Sequence, residues 1–184
     1  MTARATVTPE QIERAIAGDR AAVEALTRAF LPRVYGLCFR LTRDRELAED
    51  AAQETFVKAL RALPALRERT RVDSWMLTIA ANTTRSMLRK VKKTASLEIE
   101  PASIDVQVDD VKVARQKAID HAVKELPGDE RELFLLHTVE GVRLKTLAEE
   151  RSTTVSATKA KVHRIRTKVR RGALAQLERA GMSA

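Results

Sequence analysis

The sequence predicts an all-α protein of two small helical domains, residues 1–95 and 111–184, joined by a flexible acidic linker at 96–110, the C-terminal domain being a helix-turn-helix. Three observations predict it. Apolar residues recur every three or four positions through both blocks, the period of an amphipathic helix. Charge divides the chain: 18 Lys and Arg against 11 Asp and Glu up to residue 95, five acids and no base from 96 to 110, then 16 bases against nine acids. Near the C-terminus, two short helical segments and a three-residue polar turn lead into a long helix rich in Lys and Arg, a helix-turn-helix order.

Composition narrows the function. A net charge of +9 suits a polyanionic partner, nucleic acid first, although Lys and Arg also merely solvate helix faces. The one cysteine, Cys38, cannot form an internal disulfide, and C-x-x-C pairs are absent. No apolar run reaches the roughly 18 residues of a membrane span, and residues 1–11 lack an apolar signal core. The expectation is a cytoplasmic protein with no membrane insertion of its own. Six glycines leave no phosphate-cradling loop. His121, His137 and His163 are scattered without metal-ligand spacing, and no nucleophile–base set stands out. Neither a cofactor nor catalysis is expected.

The N-terminal elements follow in order. Thr8-Pro9-Glu10-Gln11 is a helix start, with Thr8 capping, Pro9 at the first helical position and Gln11 closing a capping box. Gly18-Asp19 ends that helix and opens the next, whose stripe is Val23, Leu26, Phe30, Val34, Leu37 and Leu41, with a kink expected at Pro32. Cys38 beside the stripe reads as a packed thiol. A third helix, Arg45 to Leu63, buries Ala48, Ala51, Ala52, Thr55, Phe56, Ala59 and Leu63. Its other faces gather Glu46, Glu49, Asp50, Gln53 and Glu54. Acids suit a helix N-terminus through the dipole; the same patch would also dock a basic partner.

Residues 64–71 form an arginine-rich loop with Arg67, Arg69 and Arg71. A fourth helix, Asp73 to Lys93 with Asp73 or Ser74 as cap, carries an apolar stripe (Val72, Met76, Ile79, Ala80, Thr83, Met87, Val91) and a polar-basic one (Asn82, Arg85, Arg89, Lys93). That second stripe could track phosphates or splayed bases, while helix-dipole preference alone explains basic residues near its end. Trp75, the one large ring near the loop, reads as core.

After the linker, which could instead hold a short strand at Ile104, Val106 and Val108, a helix spans Val111 to Glu125. Pro127-Gly128-Asp129 is a break and cap, Glu130 to Val139 a short apolar helix stopped at Glu140-Gly141, and Leu144 to Arg151 another. Ser152-Thr153-Thr154 is the turn. The final helix, Val155 to Leu177, interrupted at Gly172, turns Thr158, Val162, Ile165 and Val169 inward. It carries seven Lys and Arg and no acid between Lys159 and Arg171. Such a helix fits the major groove; a basic helical arm that binds a partner protein is the other reading.

Three strings resemble one family. Ala48-Glu-Asp-Ala-Ala-Gln-Glu-Thr-Phe-Val-Lys-Ala59 is similar to the most distinctive segment of bacterial sigma factors of the extracytoplasmic-function group. Ser74-Trp-Met-Leu-Thr-Ile-Ala-Ala-Asn82 resembles the segment that follows it. Leu126-Pro127, residues 133–141 and Lys159 to Arg166 resemble the C-terminal helix-turn-helix. The resemblance spans about residues 9–95 and 112–175 and implies a subunit that brings core RNA polymerase to promoters and helps open the DNA.

Transferred to this chain, it implies that Asp50, Gln53 and Glu54 contact the clamp helices of the largest polymerase subunit. Arg67, Arg69 and Arg71, with Asn82 and Arg85, meet the unpaired minus-ten strand. Lys159, Ala160, His163 and Arg164 face the minus-thirty-five groove, the C-terminal domain meets the beta flap, and an anti-sigma factor is a further partner. Three departures stand out: Arg151-Ser152 where the family usually has an apolar residue and glycine, Ser156-Ala157-Thr158 where Gly-Thr-Val is common, and Ala160 for a frequent serine. The competing reading is an autonomous helix-turn-helix regulator that acts without polymerase.

Overall fold

The computed structural model describes residues 7–94 and 111–181, with side chains from 7 to 91 and from 113 to 181. The acidic connector at 96–110 and the Lys93 side chain lie outside the described residues. The chain divides into two compact units, Met1–Ala102 and Ser103–Ala184, and the described residues contain helices and no strand.

The first unit holds α1 (Pro9–Ile16), α2 (Arg20–Thr42), α3 (Arg45–Ala62) and α4 (Val72–Thr94). The Thr8 hydroxyl accepts from the Gln11 N–H at 3.2 Å while Gln11 Oε1 accepts from the Thr8 N–H at 2.9 Å, the reciprocal box that satisfies two orphan donors. Gly18 turns the chain at φ +85°, a conformation glycine adopts without a Cβ penalty. Asp19 then caps α2 by accepting from the Ala21 and Ala22 N–H groups. The Arg14 guanidinium beside it holds the Asp19 carboxyl below its ordinary value.

In α2 the buried stripe is Ala22, Leu26, Phe30, Val34, Leu37, Cys38 and Leu41; Val23 is only half-buried. The helix runs continuously through the exposed Pro32. Asp44 caps α3 through the Leu47 N–H, and Ala48, Ala51, Ala52, Thr55, Phe56 and Ala59 are all buried. Their small side chains let α3 pack against both α2 and α4, which also pack on each other. Thr84 Oγ1 lies 2.8 Å from the Ala80 carbonyl and 3.3 Å from Cys38 Sγ. Burial pushes the Cys38 thiol up, so it is packing material and not a reactive thiolate.

The start of α4 departs from expectation. The helix begins at Val72, so Asp73 and Ser74 lie inside its first turn and not at the N-cap position. Asp73 Oδ2 pairs with Arg33 Nη1 at 2.8 Å, and the Ser74 hydroxyl donates to the Arg71 carbonyl at 3.2 Å. The preceding loop contains two short 3-10 turns, Leu63–Ala65 and Arg69–Arg71.

The second unit holds α5 (Val111–Lys124), α6 (Gly128–Phe134), α7 (Leu144–Glu150) and α8 (Val155–Arg179). In α5, Ala118, Ala122 and Val123 are buried, and Lys117 is exposed. Pro127 takes the N-cap place of α6 without a side-chain cap; Asp129 sits in the first turn. The expected helix to Val139 changes pitch, with a π turn over Leu135–Val139 closed by Glu140 N–H to the Leu135 carbonyl. Leu133 to Leu136 are consecutively buried, which the wider turn accommodates. Gly141, at φ +74°, ends it. Gly172 does not interrupt α8. A Cβ there would meet Ala122 Cβ at 3.0 Å, so the glycine allows α5 and α8 to close on each other.

Candidate nucleic-acid and polymerase interfaces

The exposed face of α3 follows from its buried one. With Ala51, Ala52, Thr55 and Phe56 turned inward, Asp50, Gln53 and Glu54 must point outward, and all three are exposed. Glu49 is paired with Arg45 at 3.2 Å and Glu54 with Lys58 at 3.3 Å, both helical i,i+4 pairs. Asp50 and Gln53 remain as exposed acceptors flanked by Val57, a large apolar side chain also exposed. The patch is therefore both polar and apolar, which suits protein docking better than simple solvation.

The arginines of the loop are not alike. Arg67 is exposed. Arg69 Nε donates to Glu13 Oε1 of α1 at 2.7 Å, and its side chain is only 22% exposed. Arg71 pairs with Glu68 at 2.6 Å. Along α4, Asn82 and Arg85 are both exposed, as is Arg89. Trp75 is half-buried.

In α8, Thr154 caps the helix by accepting from the Ala157 N–H at 3.1 Å. Thr158, Val162, Ile165 and Val169 are buried, and Lys159, Ala160, His163 and Arg164 are all exposed on the opposite face. α6 supplies acids the basic count conceals. Asp129 Oδ2 accepts from Lys161 Nζ at 2.8 Å, and both Glu130 oxygens accept from Lys168 Nζ. Lys161 holds the Asp129 carboxyl below its ordinary value. Glu132, 5% exposed, pairs with Arg151 Nη2 at 2.7 Å. Arg151 therefore occupies a semi-buried position as half of an ion pair. Next to it, Ser152 takes the left-handed conformation, φ 49°, at the place where glycine is usual in the resembled family. These acid partners went unnoticed in the sequence; Asp129-Glu130 and Glu132 beside a helix of lysines was the available signal.

A groove of about 1020 Å³ lies between α5, the π turn and α8, lined by apolar side chains such as Ile119, Val139 and Leu174 and also by Arg115, Arg166 and Arg170. Ile119, Val139 and Leu174 are exposed there. His137 is not part of it; its Nδ1 lies 2.9 Å from the Val142 carbonyl, a structural contact.

The family model of sigma-70 region 2 matches residues 26–94, and that of sigma-70 region 4 matches residues 116–169. The RNA polymerase sigma factor CarQ of Myxococcus xanthus is 32% identical over 162 residues, 86% of this chain and 93% of that protein. The extracytoplasmic-function sigma factor SigW of Bacillus subtilis is 24% identical, over 88% of this chain and 94% of its own. The chain belongs to the extracytoplasmic-function sigma factors. As a sigma factor it binds core RNA polymerase and directs it to promoter DNA; its relatives are promoter-recognition subunits and not catalysts. The fold is that of the Bartonella quintana sigma factor RpoE, solved with its anti-sigma factor NepR, with a TM-score of 0.65 at 21% identity over 86% of this chain and 96% of that one. Among the described residues no helix is long and apolar enough to cross a membrane.

Proposed function

We propose that this sigma factor works in the cytoplasm through three surfaces, each on a different element. Asp50, Gln53 and Glu54 of α3 dock on the clamp helices of the largest polymerase subunit. The loop bearing Arg67, Arg69 and Arg71, with Asn82 and Arg85 on the helix it leads into, meets the unpaired minus-ten strand and holds the DNA open. Lys159, Ala160, His163 and Arg164 enter the minus-thirty-five groove. The observation that carries the reading is the separation of faces on α3 and α8: on these two helices every residue assigned to a partner is exposed, while the residues of the opposite face are buried. The apolar groove of the second unit fits the beta flap, and an anti-sigma partner is supported by the complex in which the similar RpoE was solved. The residues 1–95 and 111–184 act as the two working domains, with the acidic residues 96–110 as tether.

Trapping flipped bases costs a few kcal/mol of unstacking each, and with 3% aromatic residues the chain must meet that cost with arginine and amide groups. An autonomous regulator would leave both the region 2 match and the exposed α3 patch without a purpose. The test is the double change Gln53→Ala with Glu54→Lys. Affinity for core polymerase should fall by roughly tenfold or more, as for loss of a central interface contact, while binding of duplex DNA by the second unit is retained. Unchanged core affinity would sink the docking assignment.

A further inference from the structure

We propose that Arg69 is a positioning residue that acts through Glu13, and that the strand-facing charge of the arginine loop belongs to Arg67. This rests on the reading that the loop meets the minus-ten strand. Three ion pairs carry it. Arg69 Nε reaches back 56 residues in sequence to Glu13 Oε1 at 2.7 Å and ties the loop to α1. Asp73, just after the loop, pairs with Arg33 of α2 at 2.8 Å and ties its far end to the bundle. Arg71 is taken by Glu68 within the loop itself. Arg67 has no such carboxylate partner among the described residues and is exposed.

Burial grades the arginines the same way. The Arg69 side chain is the most covered of the three, 22% exposed against 40% for Arg71. Arg69 and Arg71 also form the 3-10 turn that runs directly into α4, so moving Arg69 moves the start of the helix that carries Asn82 and Arg85. A guanidinium covered to that extent and hydrogen-bonded to a carboxylate gains little by exchanging it for a phosphate. Its use is to fix the loop before the strand arrives, which lowers the ordering cost of binding.

The test uses full-length protein assembled with core polymerase. The probe is a fluorescein-labelled single-stranded oligonucleotide selected by the unaltered holoenzyme from a randomised pool. Glu13→Gln and Arg69→Gln should each weaken its binding about threefold to fivefold, in proportion to the modest worth of one partly covered ion pair. The exchange Glu13→Arg with Arg69→Glu should restore it. Arg69→Gln should also leave the dependence of log K on log salt unchanged, whereas Arg67→Gln should lower that slope by about 0.7, one single-strand phosphate.

Three results would overturn the assignment: tighter binding by Glu13→Gln, no rescue by the exchange in a protein whose thermal melt is unchanged, or a flatter salt slope for Arg69→Gln. Each would mean that Arg69 touches DNA and Glu13 merely masks it. If Arg67→Gln, Asn82→Ala and Arg85→Ala also leave the probe's affinity untouched, it is the reading of the loop as a strand-binding surface that fails.

Discussion

At the scale of single residues, the face of α8 divides its lysines and arginines into two jobs. Lys161 and Lys168 are held by Asp129 and Glu130, while Lys159 and Arg164 stand exposed without an ion pair among the described residues. Lys161→Met should therefore leave the salt dependence of minus-thirty-five binding unchanged. Arg164→Ala should cost about 1–3 kcal/mol at one base position if it reads a base edge, or weaken all sequences evenly if it contacts phosphate; a duplex library titrated at several salt concentrations separates the two. The Asp129 carboxyl is lowered by Lys161, so that pair stabilises the fold above the ordinary carboxylate range and the contribution is lost as pH falls through the lowered value. Lys161→Met should remove that acid-side loss from thermal melts taken against pH. Ser152, at φ 49°, holds a conformation costly to any residue with a Cβ. Ser152→Gly should raise stability by about 0.5–1 kcal/mol in urea unfolding.

At the scale of elements, legibility followed the range of the forces involved. The buried face of α3 was readable in full because one local period of Ala, Thr and Phe decides it. The capping box at Thr8 and Gln11 was readable for the same reason. The start of α4 was not, since Asp73 spends its carboxylate on Arg33, 40 residues earlier, and the Ser74 hydroxyl turns to donate instead of accepting. The loop was legible as arginine-rich, yet Glu13, the residue that takes Arg69, belongs to another helix. Leu135–Val139 gave no sign of its pitch because the unbroken apolar run Leu133 to Leu136 carries no period that tells an α turn from a π turn. Gly172 shows propensity overruled by packing. Read alone it breaks a helix; set against Ala122 it is the contact that α5 and α8 need. Gly172→Val should destabilise the second unit by about 1–3 kcal/mol through overpacking, and Ala122→Gly should recover part of that loss in the same denaturation assay.

At the scale of the molecule, two compact units carry separate cores, and in the proposed reading each brings its own contacts to polymerase and promoter. Linked binding of this kind multiplies weak contacts by effective concentration. Residues 1–102 and 103–184, expressed apart, should each fold by circular dichroism. Mixed with core polymerase, they should need on the order of 10²- to 10⁴-fold higher concentration than the intact chain to drive promoter-dependent transcription. Equal potency of the pieces would show that the tether contributes nothing.

The carboxylates of α6 also bear on redesign. Asp129 and Glu130 grip Lys161 and Lys168 of α8, and Glu132 grips Arg151 at the end of α7, so both helices are moored to α6 away from the exposed face proposed to read DNA. Positions 159, 160, 163 and 164 can then be randomised together without loosening the mooring. A library built on those four sites alone would yield regulators addressed to new promoters, each still seated on the same scaffold.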